Sequence, residues 1–375
     1  MANFRKRIRA AADRLAEVGR ARPRPPVLLP DRDAFASWVD RDVVPALTPG
    51  LAVATFDRSG VRWARGFGVR RAGFDEPCAA DTPFRWFSVT KVLTAMMTMR
   101  LVEAGVFRLD DRVEEVLPWF EHLDREGRVD IEDLLRHRSG IDNPPPFGWG
   151  RPVEAAGWDV PTEVKRKALG RPPIGEANYG RPLYTNLGYL VLGEVIRSAA
   201  GEPFEVLADR EILGPLGLDQ TRFGSPDPET AAFPHELVYH PRPWVFATAA
   251  GAPRRFIDGR AGPFVRVHPF RLMGTAFGDA SGSVCDLAAL GMAHLNDGAG
   301  VISPPSAELM RTGVAGYGLG WHVAPGVVSH TGSGIGYRSE LRLLPAEGRG
   351  VAVLSNVGHF DTGPIADAIL RAEGP

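Results

Sequence analysis

The sequence predicts an α+β fold, with one antiparallel sheet in an α/β sandwich beside a mainly helical domain. Strand-like runs occur near both ends of the chain, whereas helical periodicity fills the middle. Strands from both ends can build one sheet when the helices between them form an inserted layer. We therefore expect residues 33–85 and 276–375 to form the domain with the sheet, and residues 86–275 to form the helical domain.

The N-terminal segment, residues 1–32, is expected to form a helix followed by a Pro-rich linker. Charged and small apolar residues alternate at helical spacing in residues 1–20, without the apolar run of a secretory signal. We favour a solvated amphipathic helix over an interfacial membrane anchor. No later run approaches the roughly 18 apolar residues of a membrane span, so we expect no span and a cytoplasmic location.

The sheet is predicted from two pairs of strand-like runs. The first pair, 50–56 and 61–69, is joined by a turn of the kind found in hairpins. The second pair, 340–344 and 350–355, lies near the other end of the chain. A closing helix is predicted at 363–372.

The helices are predicted from apolar residues at a period near 3.6. They are expected at 33–47, 88–104, 131–137, 187–200 and 286–296. Residues 221–275 are rich in proline, glycine and isolated aromatic residues and show no clear period. A long segment of this kind is usually functional, so we expect an irregular covering loop there.

Composition excludes several classes of protein. The 44 basic and 45 acidic residues nearly balance, which argues against a nucleic-acid partner. The two cysteines, Cys78 and Cys285, are too few for a disulfide framework or a structural zinc site, although one bridge between them stays open. We expect neither a metal nor a cofactor, and the sequence leaves the oligomeric state open.

Ser88 and Lys91 are the first candidate catalytic residues. They form an S-x-x-K pattern at the start of a predicted helix, where positions three apart share a face. Lysine can take a proton from the serine hydroxyl if burial lowers its pKa, whereas arginine cannot. Only four of the 44 basic residues are lysines, which adds weight to Lys91, although the pattern alone also arises by chance.

Tyr184 and Asn186 are the second element. In extended backbone, residues two apart point to the same side, so the phenol and the carboxamide can face one cavity. A tyrosine near a lysine can serve as general base and later protonate the leaving group. The competing interpretation is a tyrosine that only fills the core.

The third element is the run His330-Thr331-Gly332-Ser333, which precedes a predicted strand. Glycines beside a strand let a substrate approach the backbone closely. The backbone N–H groups of Ser88 and Ser333 could together form an oxyanion hole. A phosphate-binding glycine loop is rejected, because a strand rather than a helix follows.

Two other patterns do not support a site. No G-x-S-x-G motif occurs, which argues against an α/β-hydrolase nucleophile elbow. His235, Glu236 and His240 miss the H-E-x-x-H spacing by one residue, and flanking prolines oppose a helix, so a zinc site is not expected. His137 and His294 lie on helical patterns and are interpreted as structural.

The three elements, in this order, resemble the serine β-lactamase and penicillin-binding protein superfamily, and most closely the class C β-lactamases, serine esterases and D-aminopeptidases. The resemblance covers about residues 33–372. It includes the runs PGLAVATF, LDDRVEEVLPWF, DLLRHRSGI, YTNLGYLVLGEVI, ILGPLGLDQT and GLGW. It implies a β-lactamase/transpeptidase-like fold with the site between the two domains.

The resemblance also implies an acyl-enzyme mechanism. Ser88 would attack a carbonyl, and Lys91 and Tyr184 would manage its proton. Asn186 would orient Lys91 and the acyl group. Water or another acceptor would then release the acyl group.

Departures from the family pattern bear on the substrate. Lactam-processing members carry lysine where this chain has His330, and a histidine would supply a weaker, pH-dependent positive charge for a substrate carboxylate. The run VGHFDTGP lacks the arginine that class C enzymes hold near the closing helix, and Arg338 could substitute for it. Thr331 and Gly332 are carried over as substrate-binding residues.

Aromatic residues of the loops, Phe147, Trp149 and Trp158, suit a hydrophobic acyl group or merely pack the helical insertion. The preferred function is a carboxylesterase for small or hydrophobic acyl esters, with β-lactam hydrolysis at most a slow side activity. The partner would be a small ester or amide. A β-lactamase, a D-amino-acid peptidase or amidase, an acyltransferase, and an inactive binding protein of the same fold are the alternatives.

Overall fold

The predicted strands at the two ends of the chain form one antiparallel sheet. In the computed structural model, which describes residues 22–26, 29–44, 46–144, 149–155, 157–238 and 256–374, this sheet has six strands. The strands of the described residues, in this sheet and in three smaller ones, are in chain order β1 Gly50–Asp57, β2 Gly60–Gly68, β3 Phe84–Arg85, β4 Gly150–Pro152, β5 Arg222–Phe223, β6 His235–Leu237, β7 Ile257–Ala261, β8 Phe264–Val267, β9 Phe270–Leu272, β10 Ala280–Gly282, β11 His322–Ala324, β12 Val327–Gly334, β13 Tyr337–Leu344 and β14 Arg349–Ser355. The sheet order is β11-β12-β13-β14-β1-β2.

The helices lie mostly between the two groups of sheet strands, as predicted. In chain order they are α1 Arg32–Trp38, α2 Thr90–Glu103, α3 Val113–Val116, α4 Ile131–Leu135, α5 Val160–Leu169, α6 Asn186–Ala200, α7 Phe204–Ala208, α8 Val284–Leu295, α9 Pro304–Arg311 and α10 Gly363–Ala372. Short 3-10 helices span Phe87–Val89 and Pro118–His122, and π-helical turns extend α1 over Val39–Val43 and α7 over Asp209–Leu213. The α+β prediction is confirmed.

The sheet is buried on both faces, as the sandwich prediction requires. Along β1, Ala52, Ala54 and Phe56 belong to the core that contains α8. The alternate residues Leu51 and Val53 belong to a second core with α1 and α10. Because successive side chains of a strand point to opposite faces, this alternation places one layer of helices on each side.

The segment 221–275 differs from the prediction of an irregular loop. Its described residues include short strands: β8 pairs with both β6 and β7, β5 pairs with β10, and β9 pairs with β4. Strands of two to five residues interrupted by glycine and proline carry no readable period of two, which explains the error.

Several sequence predictions concern features outside the sheet. The helix expected in residues 1–20 and the side chain of Phe147 lie outside the described residues. Cys78 and Cys285 are free thiols. Among the described residues, no helix combines the length and the apolar character that crossing a membrane requires.

Candidate active site

Ser88 lies in a 3-10 turn that leads directly into α2. The residue before it, Phe87, has a φ of 46°, in the left-handed region that a bulky residue rarely adopts. The Ser88 side chain is partly exposed, whereas Phe87 and Val89 are buried. A strained residue at such a position is often part of a functional site, because the surrounding packing must hold it there.

Lys91 is buried one turn behind the serine, and Nζ lies within hydrogen-bond distance of three oxygens. The distances are 3.1 Å to Ser88 Oγ, 2.8 Å to Asn186 Oδ1 and 3.1 Å to the Phe277 carbonyl. Burial lowers the pKa of Lys91 well below its ordinary value of 10.5. The two carbonyl-type oxygens can only accept, so Lys91 donates to both of them. The contact with Ser88 Oγ is the one at which the amine, once it has lost a proton, can turn its lone pair to the serine hydroxyl.

Tyr184 lies beside this pair, with its ring centroid 4.8 Å from Lys91 Nζ. Burial raises the pKa of the Tyr184 phenol above its ordinary value of 10, and a side-chain hydrogen bond with Ser88 partly opposes that shift. The phenol therefore keeps its proton at neutral pH. This state suits a proton donor better than the general base that the sequence also allowed.

His137, which was interpreted as structural, holds the backbone on both sides of Tyr184. Its carbonyl accepts the N–H of Leu183 at 2.7 Å, and its Nδ1 accepts the N–H of Thr185 at 3.2 Å. The two rings are 4.4 Å apart at their centroids. Burial lowers the pKa of His137 well below 6.5, which agrees with an Nδ1 that accepts. His137 therefore has a structural contact, as interpreted from the sequence, and this contact is with the Tyr184 segment of the candidate site.

Asn143, which sequence reasoning missed, fixes the start of α6. Its Oδ1 accepts the N–H of Asn186 at 2.8 Å and that of Leu187 at 3.2 Å, and its Nδ2 donates to the Tyr184 carbonyl at 3.1 Å. The first N–H groups of a helix have no partner within the helix, so this side chain serves as a cap. Asn143 lies 43 residues before Asn186, and no local pattern connects them.

Packing explains the glycines of β12, whereas the sequence suggested that they let a substrate approach the backbone. A Cβ at Gly332 would overlap the Trp86 carbonyl, and a Cβ at Gly334 would overlap the Phe87 ring. These glycines therefore let the strand pack directly on the segment that precedes Ser88. They set the distance between β12 and the nucleophile, whereas the sequence suggested room for a substrate.

His330 projects from the same face of β12 as the two glycines, and it is 2% exposed. Its Nδ1 lies 3.0 Å from the Thr331 carbonyl, and its ring lies 4.9 Å from that of His322. Burial lowers the pKa of His330 well below 6.5, with smaller contributions from His322 and Lys91. Burial therefore disfavours the weak, pH-dependent positive charge that the sequence suggested for a substrate carboxylate.

Thr331 and Ser333 project from the opposite face of β12, and both are exposed. Ser333 pairs across the strands with Arg338, so the two side chains share that face. Arg338 is 7% exposed. The structure thus places this arginine away from His330.

The aromatic residues of the helical insertion occupy different positions. Trp149 is 8% exposed, and its ring meets the Phe277 ring edge-on at 5.0 Å. The Phe277 carbonyl accepts from Lys91, so Trp149 packs against a residue that contacts the Lys91 amine. Trp158 instead packs under the Arg151 guanidinium at 4.5 Å.

The rejected zinc pattern is part of a buried hydrogen-bond network. His235 Nε2 accepts the N–H of Ala72 at 3.0 Å, and Glu236 Oε2 lies 2.8 Å from His359 Nδ1. Glu236 Oε1 accepts the N–H of Gly336 at 3.0 Å. His240 lies outside the described residues.

Comparison with known proteins agrees with this geometry. A family model described as Beta-lactamase matches residues 39–374. Penicillin-binding protein 4 of Amycolatopsis lactamdurans is 32% identical over 345 residues, which cover 83% of this chain and 81% of that protein. Esterase EstB of Burkholderia gladioli is 33% identical over 199 residues, which cover 49% of this chain and 50% of that protein. The octameric penicillin-binding protein homologue from Pyrococcus abyssi superposes with a TM-score of 0.69 at 26% identity, covering 89% of this chain and 75% of that one.

Proposed function

Because the chain belongs to the beta-lactamase family, whose members include serine hydrolases, we propose that it is a carboxylesterase that works through an acyl-enzyme on Ser88. The substrates proposed are neutral esters with small or hydrophobic acyl groups. The observation that carries the proposal is the buried Lys91 amine, held between Ser88, Asn186 and the Phe277 carbonyl.

The first step is activation of the serine. Lys91 in its neutral form accepts the Ser88 hydroxyl proton while the serine oxygen attacks the ester carbonyl. Asn186 and the Phe277 carbonyl hold the amine in place because each accepts one of its N–H groups. Burial supports this role, since the desolvated amine loses its proton more readily than a lysine in water.

The second step is departure of the alcohol. Tyr184 carries a proton at neutral pH and has a hydrogen bond to Ser88, so it can protonate the leaving oxygen. The proton that Lys91 took from Ser88 then passes to the Tyr184 phenolate, so the tyrosine is protonated and the amine neutral again. Water enters in place of the alcohol, and the same groups act in reverse to release the acid.

The oxyanion would rest on the backbone N–H groups of Ser88 and Ser333. Ile335 and Gly336 alone join β12 to β13, so Gly334 and Tyr337 form the closing pair. Hydrogen-bonded pairs alternate with non-bonded ones along an antiparallel ladder, and a two-residue turn is closed by a bonded pair. The N–H of Ser333 therefore points away from β13. Among the described strands, β11 pairs with β12 only as far as Ser329, so no strand pairs with the Ser333 N–H on that side.

The electrostatics of the site favour a neutral substrate. Burial lowers the pKa of Lys91 and that of His330, and neither group supplies a fixed positive charge. The rings of Tyr184, Tyr189 and Phe277 surround the amine at 4.8, 5.4 and 5.2 Å. A β-lactam antibiotic carries a carboxylate, and these groups would give that carboxylate little electrostatic stabilisation. Arg338, which lies on β13 and pairs with Ser333 on the face opposite His330, stays a proposed partner for such a group, together with Thr331.

A second candidate function is a peptidase or amidase for D-amino-acid substrates. It is supported by the similarity to the D-alanyl-D-alanine-carboxypeptidase/endopeptidase AmpH of Escherichia coli, which is 28% identical over 184 residues. The same Ser88, Lys91 and Tyr184 would perform the chemistry, and an amine would replace the alcohol as leaving group. An acyltransferase would differ only in the acceptor that releases the acyl group.

The test compares hydrolysis of p-nitrophenyl acetate, p-nitrophenyl butyrate, D-alanine p-nitroanilide and nitrocefin by the wild type and by Ser88→Ala. We expect the esters to be hydrolysed fastest and the variant to lose the activity. A nitrocefin rate equal to the ester rate would assign a lactamase, and a faster anilide would assign a peptidase. A wild type that hydrolyses none of the four substrates would contradict the proposed function and leave the inactive binding protein as the remaining alternative.

A further inference from the structure

The turn that ends β12 is held by a carboxylate from the segment that was expected to be an irregular covering loop. Glu236 lies in β6 and is 0% exposed. Its Oε1 accepts the backbone N–H of Gly336, whose φ is 75°. Gly336 is the second of the two residues that join β12 to β13, three positions after Ser333. The contact is therefore made at the end of the strand that carries the proposed oxyanion donor.

The second oxygen of Glu236 is also engaged. Its Oε2 lies 2.8 Å from Nδ1 of His359, which is 3% exposed and follows β14. Carboxylates are almost never fully buried unless they are paired or hydrogen-bonded, because desolvation of the charge is costly. Both oxygens of this carboxylate meet that condition, and they join two segments that are far apart in sequence.

The backbone around Glu236 is bound to the same two segments. The N–H of His235 donates to the Asn356 carbonyl at 3.0 Å, and the N–H of Gly358 donates to the His235 carbonyl at 3.2 Å. The Tyr337 hydroxyl donates to the Ala232 carbonyl at 2.6 Å. A Cβ at Gly358 would overlap Glu236 Oε1, so the segment after β14 lies directly against the carboxylate.

The strand is thus fixed from two directions. On the face of the two glycines it packs on Trp86 and Phe87, next to the nucleophile, and at its turn it is bound by Glu236. We propose that Glu236 is a positioning residue that, through Gly336, sets the place of the Ser333 N–H relative to Ser88. This inference rests on the proposed function, because it assumes that Ser333 stabilises the oxyanion.

The chemistry explains why a carboxylate is used at this turn. The Gly336 N–H is buried and needs an acceptor, and a charged acceptor makes a stronger bond than a neutral one. A displacement of an oxyanion donor by about 1 Å from a mutation outside the reacting groups can cost about 100-fold in rate. The residue is therefore expected to affect the chemical step more than substrate binding.

The experiment uses the full chain with matched pairs of variants. Glu236→Ala removes both contacts, whereas Glu236→Gln keeps an acceptor oxygen for Gly336 and tests rescue. Asp124→Ala and Asp124→Asn are the controls. The Asp124 carboxylate is 2% exposed and accepts the backbone N–H groups of Arg128 and Val129, both at 2.6 Å, in the helical domain.

The first readout is hydrogen exchange of the peptide that contains residues 333–337, and it does not depend on activity. We expect Glu236→Ala to speed exchange there at least about 10-fold, while Glu236→Gln stays near the wild type. Asp124→Ala should speed exchange only near residues 124–129. Unchanged exchange at 333–337 in Glu236→Ala would overturn the inference.

The second readout separates kcat from KM for p-nitrophenyl butyrate and adds inhibition by a boronic acid, whose tetrahedral adduct places an oxygen in the oxyanion hole. We expect Glu236→Ala to lower kcat at least about 10-fold with KM within about 2-fold, and to weaken boronate inhibition in parallel. Glu236→Gln should recover most of kcat, and both Asp124 variants should keep kcat even if their Tm falls.

The outcomes distinguish the inference from the proposed function. A loss of kcat that follows Tm in the same way for Glu236→Ala and Asp124→Ala would show general destabilisation and overturn the positioning role. If Glu236→Ala does not fold, Glu236→Asp replaces it, because the shorter carboxylate withdraws from the Gly336 N–H. We then expect faster exchange at 333–337 and a lower kcat in Glu236→Asp, with Asp124→Asn like the wild type, and wild-type values of both readouts in Glu236→Asp would overturn the positioning role. A wild type without esterase activity would overturn the proposed function and the catalytic part of the inference together.

Discussion

Lys91 Nζ lies 3.1 Å from Ser88 Oγ, one helical turn behind it and buried from solvent. The amine also faces two oxygens that can only accept, from Asn186 and Phe277. This relationship is the basis for the proposal that Lys91 takes the serine proton. Four predictions test it and the packing around it.

Replacing Lys91 with arginine keeps the positive charge and removes the base. Arginine does not lose its proton in proteins, so it cannot accept the Ser88 hydroxyl proton. We expect Lys91→Arg to lower the acylation rate about 100-fold or more, measured as the burst of p-nitrophenol in stopped flow. Lys165→Arg, at an exposed position of α5, is the matched control and should acylate normally. Acylation of Lys91→Arg near the wild-type rate would refute the role of Lys91.

The pH dependence of kcat/KM should report the Lys91 pKa. Only the neutral amine acts as base, so kcat/KM should rise with pH, reach half of its plateau value at that pKa and level off above it. Because burial lowers the pKa of Lys91 well below 10.5, the midpoint of the rise should lie well below that pH. A rise in kcat/KM that is still centred at pH 10.5 would mean that the amine is not desolvated as described.

Removal of the Asn143 cap should affect both stability and rate. Asn143→Ala leaves the N–H groups of Asn186 and Leu187 without their acceptor and frees the Tyr184 carbonyl. We expect a loss of about 1–2 kcal/mol in urea unfolding and a lower kcat. Asp31→Ala removes the cap of α1, where Asp31 accepts the N–H of Ala34 at 2.8 Å, and should cost stability while kcat persists. If kcat were the same in both variants, Asn143 would contribute to stability only and not to catalysis.

His294 should make the fold sensitive to acid. It packs edge-on against Trp321 at 5.0 Å, and burial lowers its pKa from 6.5 to about 3. Between these values only the unfolded chain binds the proton, so stability falls as the pH falls, by about 1.4 kcal/mol per pH unit. Relative to the wild type, His294→Leu should therefore gain about 2 kcal/mol between pH 7.5 and pH 5 in urea unfolding. A difference that does not change with pH would contradict this.

Much of the fold could be predicted because its long elements carry clear periods. The closing helix was placed at 363–372, and α10 spans Gly363–Ala372. The strand placed at 50–56 is β1, Gly50–Asp57. Ser88, Tyr184 and His330 do meet at one site: Lys91 Nζ lies 3.1 Å from Ser88 Oγ and 4.8 Å from the Tyr184 ring centroid, and the Tyr184 and His330 rings are 6.4 Å apart.

Other features of the site depend on contacts between residues far apart in sequence. Asn143 and His137 act on the Tyr184 segment from more than 40 residues away, so no local pattern reveals them. The neutral state of His330 follows from burial, which a residue type alone does not give. Gly332 was linked to the substrate, whereas its neighbour in the fold is Trp86.

The most direct test of the central claim is mass spectrometry of the protein quenched in acid during turnover of p-nitrophenyl butyrate. The mechanism predicts a butyryl group on the peptide that contains Ser88, mapped to the serine itself and missing in Ser88→Ala. A butyryl group on another residue, or one that persists in Ser88→Ala, would contradict the assignment of Ser88 as the nucleophile.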